Sequence, residues 1–169
     1  DSAGAPTFYS TLALVIAAAS AGDTIQQFGN VTETVSSNAL PVDVNWNLNG
    51  FTYEKTSGSY AVSIAVNSTN RITNGRIFAN GSGNCIDAPS ANENLYCDGL
   101  ILESTSEAIR ANLNVDIHNV TIIGNSNTLP VVNGGNYHNS TLKGTGSART
   151  TDLCQDLTDC EITSDSSNA

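Results

Sequence analysis

The chain has 169 residues, of which Asn, Ser, Thr and Gly contribute 21, 19, 18 and 14. Six basic residues against 16 acidic ones give a net charge of −10, which excludes the basic surface that nucleic-acid binding needs. The longest apolar run, Leu12 to Ala19, is far shorter than the roughly 20 residues that span a bilayer. Few charges, 39% hydrophobic residues and many β-branched and turn-forming residues favour short strands joined by turns in a single domain.

The N-terminal region predicts one short helix. The stretch Ser10 to Ser20 begins with two candidate cap residues, is rich in Ala and Leu, and stops at Gly22. Before it, Asp1 starts a stretch with neither Met nor a basic segment, so we expect a processed chain or a fragment. Strand-like alternation follows at Asp23–Ile25, Val31–Val35 and Val42–Tyr53.

A repeat runs through the rest of the chain. An apolar residue, any residue, Asn or Asp, two residues and then Ile or Leu recur at intervals of 20 to 25 residues. The Asn and Asp positions form a predicted turn ladder at Asn49, Asn74, Asp98, Asn119, Asn139 and Asp159. A second series starts at Ile64, Ile86, Ile109 and Val132. One such unit cannot bury its apolar face, but stacked units can, so the period predicts a solenoid.

The repeat assigns side chains to two faces. Asn and Asp tolerate left-handed turns, and stacked Asn side chains can hydrogen-bond along the column. The predicted inward residues are Ile77, Ile101, Ile122, Leu142 and Ile162. Strand alternation then directs Phe78, Leu102 and Ile123 outward as an apolar stripe, covered either by a surface loop or by another subunit.

Two stretches carry a family resemblance. Phe8 to Ile25 resembles the helix that caps parallel β-helices, and Asn45 to Thr52 resembles the strand and turn that commonly follow. With the repeats, they resemble the right-handed parallel β-helix of the pectin-lyase-like superfamily. The resemblance implies an all-β solenoid of about six coils, with an N-terminal segment and capping helix at 1–22 and the β-helix at 23–169. That superfamily holds polysaccharide lyases and hydrolases, tailspikes, tail fibres, adhesins and surface-layer proteins.

The chemistry of the family's enzymes is not recognisable here. Its hydrolases would show clustered Asp pairs with a Gly-His-Gly segment, and its pectate lyases an Arg-centred site with calcium-binding carboxylates; the sequence has neither. Four acids leave a carboxylate pair for glycoside hydrolysis open, although solvated surface acids are the favoured interpretation. These acids are Asp98, Glu103, Glu107 and Asp116. We therefore predict no catalytic residues.

Two groups of residues are candidate metal sites. Cys97, His118 and His138 each precede the repeated Asn or Asp and should stack with Asp116 nearby, and all four are residue types that bind zinc. The favoured alternative is a turn flank, because Thr73 and Thr158 stand at the same place in other coils. A calcium-binding alternative exists at an acidic C-terminal edge comprising Asp152, Asp156, Asp159, Glu161 and Asp165. We predict neither a metal nor a cofactor.

Cysteines and sequons leave further alternatives. Two local disulfides, Cys85 with Cys97 and Cys154 with Cys160, stand against four free thiols, which we favour slightly. Five N-glycosylation sequons occur, at Asn30, Asn67, Asn80, Asn119 and Asn139, but a chain this rich in Asn, Ser and Thr contains about five by chance. They are candidate glycosylation sites only.

These observations favour a structural or adhesive function. We expect a stiff extracellular or virion-surface module of a tail fibre, tailspike or filament that self-associates as a trimer or filament, or packs against neighbouring appendage subunits, and contacts cell-surface glycans. The alternative is a polysaccharide lyase or glycoside hydrolase of the same fold. An ice-binding array is weaker, because Thr columns such as Thr121 and Thr141 are short and interrupted.

Overall fold

A computed structural model describes residues 7–34, 38–81, 83–88, 90, 93–111, 114–125, 132–145, 151–152 and 154–164, without the side chain of Asp152. The predictions for residues 1–6, Val35 and Asp165 lie outside this range. In chain order the elements are α1 (Leu12–Ala18), β1 (Thr24–Gln26), β2 (Val31–Glu33), β3 (Ala39–Leu40), β4 (Asn45–Asn47), β5 (Thr52–Lys55), β6 (Tyr60–Ile64), β7 (Ser68–Ala79), β8 (Asn84–Ala88), β9 (Glu93–Ser104), β10 (Ile109–Ala111), β11 (Val115–His118), β12 (Thr121–Gly124), β13 (Val132–Asn133), β14 (Asn136–His138), β15 (Thr141–Gly144), β16 (Thr151–Asp152), β17 (Asp156–Thr158) and β18 (Glu161–Ser164).

Helix α1 confirms the predicted short N-terminal helix. Thr11 is its N-cap, since its side chain accepts a hydrogen bond from the backbone N–H of Leu14 at 3.2 Å. The helix ends where Ala19 turns extended, and Gly22 takes a positive φ of 88° before the first strand. Leu12 belongs to the buried core, so the helix is anchored to the β region by its first turn.

The strands stack in parallel as a β-solenoid of about five turns, close to the six predicted. Three rows of strands run along the stack. The first row has the order β1-β4-β7-β9-β11-β14-β17, and the second row, in the same sheet, pairs β2, β5, β7, β9, β12, β15 and β18. A separate sheet, the third row, has the order β3-β6-β8-β10-β13-β16. The long strands β7 and β9 pass from the first row into the second.

One inward column of side chains from each row builds the core. The first-row column is Trp46, Ile72, Cys97, Ile117 and Tyr137. The second-row column is Tyr53, Ile77, Leu102, Ile122 and Leu142. The third-row column is Val62, Ile86, Ile109 and Val132. All of these are at most 1% exposed, and burying each large apolar side chain contributes roughly 1.5–3 kcal/mol.

The register of β9 corrects the sequence-based assignment of faces. Thr73 pairs with Asp98 and Gly75 pairs with Leu100, so Asn74 stands opposite Gly99 and the repeat is displaced by one residue in this coil. Because successive side chains point to opposite faces, that displacement exchanges inward and outward residues. Leu102, predicted outward, is fully buried, and Ile101, predicted inward, is 43% exposed. Ile162, also predicted inward, is 45% exposed, and it lies in the last described coil. The second repeat series needs a smaller correction, since Val62 rather than Ile64 aligns with Ile86.

A buried polar group joins α1 to the first coils. The Glu33 carboxylate is 6% exposed, and its Oε1 accepts a hydrogen bond from the backbone N–H of Leu12 at 2.6 Å. Its Oε2 accepts from the Tyr53 hydroxyl at 2.8 Å and from Asn38 Nδ2 at 3.2 Å. Burial, followed by the bond to Glu33, raises the pKa of Tyr53 far above its ordinary value. The network satisfies the polar groups that the helix and the first coils bring into the interior.

Candidate functional site

A row of left-handed residues marks the corner between the first and second rows. Positive φ angles occur at Asn49 (52°), Asn74 (57°), Gly99 (63°), Asn119 (53°), Asn139 (48°) and Asp159 (52°). Five of these positions are those predicted from the repeat. At the Asp98 coil Gly99, which has no Cβ to clash, takes the left-handed conformation, while Asp98 keeps its predicted place in the side-chain ladder.

The turn side chains form a directional hydrogen-bond ladder. Asn139 Nδ2 donates to Asn119 Oδ1 at 2.6 Å, and Asn119 Nδ2 donates to Asp98 Oδ1 at 2.8 Å. Gly99 has no side chain to receive that bond, and the neighbouring Asp98 carboxylate receives it. The ladder occupies the amide nitrogens of two sequon residues.

A stack of rings lies on the outward face of the first row. The Arg71 guanidinium lies 4.6 Å from the centroid of the Tyr96 ring. The Tyr96 ring stacks on His118 at 5.0 Å, and His118 stacks on His138 at 4.6 Å. Asp98 is the register partner of His118. Because the ring faces are covered by their neighbours, this ring stack presents mainly its edges to solvent, and these edges can donate and accept hydrogen bonds.

The ring stack does not include Cys97, which sequence reasoning had grouped with the two histidines. Cys97 pairs with Ile72 and Ile117 in the core and is fully buried, and burial raises the pKa of its thiol. His118 and Asp116 are on the opposite, outward face of their strand. Within the described ranges no group of three or more His, Cys, Asp or Glu side chains could hold a metal ion.

The outward face of the second row carries an apolar zigzag of Phe78, Ile101 and Ile123, called here the apolar face. Ile101 is 43% exposed, and Phe78 and Ile123 are half-buried. Register places the three in consecutive coils, since Glu103 pairs with both Phe78 and Ile123 and sits two residues after Ile101. Arg76 Nη2 donates to Glu103 Oε2 at 2.5 Å, and its guanidinium lies 4.8 Å from the Phe78 ring centroid. A paired charge thus crosses the apolar face.

The four acids that left a carboxylate pair open lie on different rows. Asp98 and Asp116 belong to the first row, beside the ring stack. Glu103 belongs to the second row and is paired with Arg76. Glu107 precedes β10 in the third row. The structure therefore does not bring the four together into one site.

Glu107 belongs to a buried polar group of the third row. It is 4% exposed, and its Oε2 accepts a hydrogen bond from Asn84 Nδ2 at 3.0 Å. Beside it, Arg110 donates from Nε and Nη2 to the two carboxylate oxygens of Asp87, at 2.6 and 2.9 Å. Burial raises the pKa of Glu107, and the bonds from Asn84 and the charge of Arg110 oppose that rise.

A cleft that sequence reasoning missed opens between the start of α1 and the first coil. Its volume is about 480 Å³, and it is lined by residues 7–9, 11, 12 and 15 on one side and by residues 24–31 with Trp46 on the other. Phe8 and Phe28 are 74% and 63% exposed there, with ring centroids 5.9 Å apart. The sequence signal was the presence of three aromatic residues (Phe8, Tyr9 and Phe28) around a predicted helix too short to cover them.

The cysteines and sequons have the following surroundings. All four cysteines are free thiols. Burial raises the pKa of Cys85 to about 12, as expected of a structural thiol. The five sequon Asn residues are exposed, and Asn67 occupies a left-handed turn before β7. Glycosylation stays a prediction at all five.

Comparison with protein-family models, curated proteins and solved structures found no match to this chain. The parallel β-solenoid is shown by the structure, and membership of the pectin-lyase-like superfamily stays a prediction. Helix α1 has seven residues, and no helix in the described part of the chain has the length and apolarity that crossing a membrane takes.

Proposed function

We propose that this chain is a stiff structural module of an extracellular or virion-surface appendage, such as a tail fibre, tailspike or filament, and that it works by self-association and surface contact. The stacked parallel rows supply stiffness, since each coil is bonded along its length to the next. The observation that carries the proposal is the apolar face, which lies on the outside of the solenoid.

The apolar face fits a second copy of the chain. Large contiguous apolar patches on soluble proteins mark interaction sites, and Phe78, Ile101 and Ile123 supply the apolar part of such a surface in three consecutive coils. A flat sheet face can pack against the same face of a neighbour, burying Ile101 and Phe78 of both. The Arg76–Glu103 pair adds a charge of each sign, which favours one alignment of the copies.

Replacing Ile101 with Asp tests the self-association. We expect the unaltered protein to have a mass in solution that is a multiple of 17.6 kDa, and Ile101→Asp to shift it to the single-chain mass because a charge would be buried in the contact. Val66→Asp is the matched control, since Val66 is 52% exposed and lies in the turn before β7, away from the apolar face. Light scattering gives the mass, and electron microscopy shows whether the assembly is a trimer or a filament.

A single-chain mass for the unaltered protein at every concentration would contradict self-association. So would an Ile101→Asp variant that keeps the oligomeric mass. Far-ultraviolet circular dichroism of both variants checks that any loss of assembly is not a loss of folding.

The outward polar columns support the second part of the proposal, which is contact with glycans. The first row presents the edges of the ring stack together with Asn45, Asn47 and Asn136, all half-buried side chains that can exchange hydrogen bonds with hydroxyl groups. The lyase or hydrolase alternative has less support, because Glu103 is paired with Arg76 on the second row and Glu107 is bonded to Asn84 on the third, which leaves Asp98 and Asp116 as the two candidate acids that share a row.

A further inference from the structure

The walls of the N-terminal cleft are uncharged, which is unusual in so acidic a chain. The protein carries a net charge of −10, yet none of the described residues lining the cleft is Asp, Glu, Lys, Arg or His. Its volume of about 480 Å³ falls within the range of small-molecule sites, which are mostly apolar with a few fixed polar groups. A charged ligand would find no partner on these walls, so the cleft suits a neutral one.

The aromatic side chains that form the walls of the cleft are largely exposed. Phe8 comes from the segment before α1 and Phe28 from the turn after β1, and their rings meet at an interplanar angle of 59°. Tyr9, in the same part of the cleft, is 42% exposed. Such rings contribute a large apolar contact area at little conformational cost, and they pack against the C–H face of a sugar as readily as against another ring.

Two amide side chains at the cleft have their orientation fixed by the backbone. Gln27 is 8% exposed, and its Nε2 donates to the carbonyl oxygens of Gly29 and Thr52 at 2.7 and 2.9 Å. Both of its amide hydrogens are thus used, and no described group donates to its Oε1. Asn30 is the reverse case, since its Oδ1 accepts from the backbone N–H of Thr52 at 2.9 Å and its Nδ2 is left as a donor.

The residues that line the cleft therefore include one acceptor, Gln27 Oε1, and one donor, Asn30 Nδ2, with the exposed Phe28 between them in the chain. A hydroxyl group can both donate and accept, so a pair of ring hydroxyls matches this arrangement. A hydrocarbon chain would exclude water from Gln27 Oε1 and Asn30 Nδ2 and would leave both atoms without a hydrogen-bond partner. An acidic sugar would bring a carboxylate to a cleft with no cation on its described walls.

We propose that this cleft is a binding site for a neutral pyranose at the end of an oligosaccharide, with the C–H face of the sugar on Phe28 and Phe8 and its hydroxyls on Gln27 and Asn30. The site names the ligand class for the glycan contact of the proposed function and lies apart from the apolar face. It does not require self-association.

Titration of the full chain with defined oligosaccharides tests the site, using protein produced without N-glycans so that Asn30 Nδ2 carries no sugar. The probes are maltopentaose, cellopentaose and penta-N-acetylchitopentaose, with pentagalacturonic acid as the acidic counterpart. We expect saturable binding of at least one neutral probe by calorimetry, with a change in the emission of Trp46, the only tryptophan of the chain and a wall of the cleft. Pentagalacturonic acid should bind at least tenfold more weakly.

Two substitutions separate the site from general stability. Phe28→Ala should weaken binding at least tenfold, because it removes the main apolar contact. Asn30→Asp keeps the oxygen that accepts from Thr52 but replaces the free donor with an acceptor, so binding should fall while the melting temperature stays within a few degrees. Leu14→Ala is the control, since Leu14 is 53% exposed on α1 and does not line the cleft.

The site is ruled out if no neutral probe binds at millimolar concentration, if Phe28→Ala and Asn30→Asp bind as the unaltered protein does, or if the acidic probe binds equally well. The two proposals fail separately. Ile101→Asp should lose assembly and keep oligosaccharide binding, whereas Phe28→Ala should lose binding and keep assembly. An oligomeric protein that binds no probe would overturn the cleft alone.

Discussion

Asp98 and Gly99 together replace the single Asn that stands at the corner of the neighbouring coils. Gly99 supplies the positive φ, and Asp98 supplies the acceptor for Asn119. There is also little space for a side chain at this position, because a Cβ at residue 99 would lie 3.1 Å from Asn74 Oδ1. At residue scale the corner thus has two requirements, a backbone conformation and a hydrogen-bond acceptor, which one side chain or two adjacent residues can meet.

Glu107 gives a prediction about pH. Burial raises its pKa, so the folded protein holds the proton more tightly than the unfolded chain and stability falls as pH rises from the unfolded value through the folded one. We expect Glu107→Gln, which keeps an oxygen to accept from Asn84, to raise the urea midpoint at pH 7 and to give no advantage below about pH 4. Urea unfolding at both pH values measures this.

The control for that measurement is Asp116→Asn, an exposed acid on the first row, for which we expect a much smaller change. An equal loss of stability at both pH values for Glu107→Gln would contradict the prediction, because an effect of the buried charge must change with the protonation of Glu107.

At the scale of elements, β9 determines which residues face the core in the centre of the solenoid. Leu102 stacks between Ile77 and Ile122 in the inward column, and Ile101 pairs outward with Arg76 and Thr121. Adjacent residues of one strand therefore have opposite environments, and a single substitution at each distinguishes this register from one displaced by a residue.

We expect Leu102→Asp to lower the free energy of unfolding by more than about 3 kcal/mol, since it places an unpaired charge in the core. Ile101→Asp in dilute solution should change it by less than about 1 kcal/mol, as surface substitutions do. Urea unfolding followed by Trp46 emission measures both. A larger loss at Ile101 than at Leu102 would contradict the register.

The solenoid itself was predictable because coils of similar length stack only if apolar and Asn residues recur at a nearly constant interval. The sequence shows that interval directly. The register of β9 was not, because Asp98 satisfies the sequence pattern as well as Asn does while Gly99 carries the conformation. The cleft was not predictable either. Its walls come from Phe8 and Phe28, which are 20 positions apart and meet only through the packing of α1 on the first coil.

At the scale of the whole molecule, the three rows present different outward side chains. The ring stack with Asp98 and Asp116 lies on the first row, the apolar face on the second, and the Asp87–Arg110 pair on the third. Such a separation suits a module that meets different partners on different sides. Acid catalysis of glycoside cleavage requires two carboxyl groups about 5–9.5 Å apart, and of the four candidate acids Asp98 and Asp116 are the two that share a row.

We therefore expect no catalytic turnover when the protein is incubated with acidic or neutral polysaccharides. Absorbance of unsaturated products measures lyase activity, and reducing-end release measures hydrolysis. Release that grows with protein concentration and is lost in Asp98→Asn or Asp116→Asn would reverse this conclusion and place the chemistry on the first row. The two variants, purified in the same way as the unaltered protein, control for contaminating enzymes.

The hydrogen-bond ladder has a polarity that limits its length. Every amide in it donates toward the N-terminal end of the solenoid, beginning at the acceptor Asp98. The position after Asn139 is Asp159, whose carboxylate has no hydrogen to pass on. An acidic residue thus lies at each end of the ladder, Asp98 at the N-terminal end and Asp159 after the last amide. The ladder is a short chain of aligned amide dipoles with a formal negative charge at each end, and a group that approaches either end meets that charge.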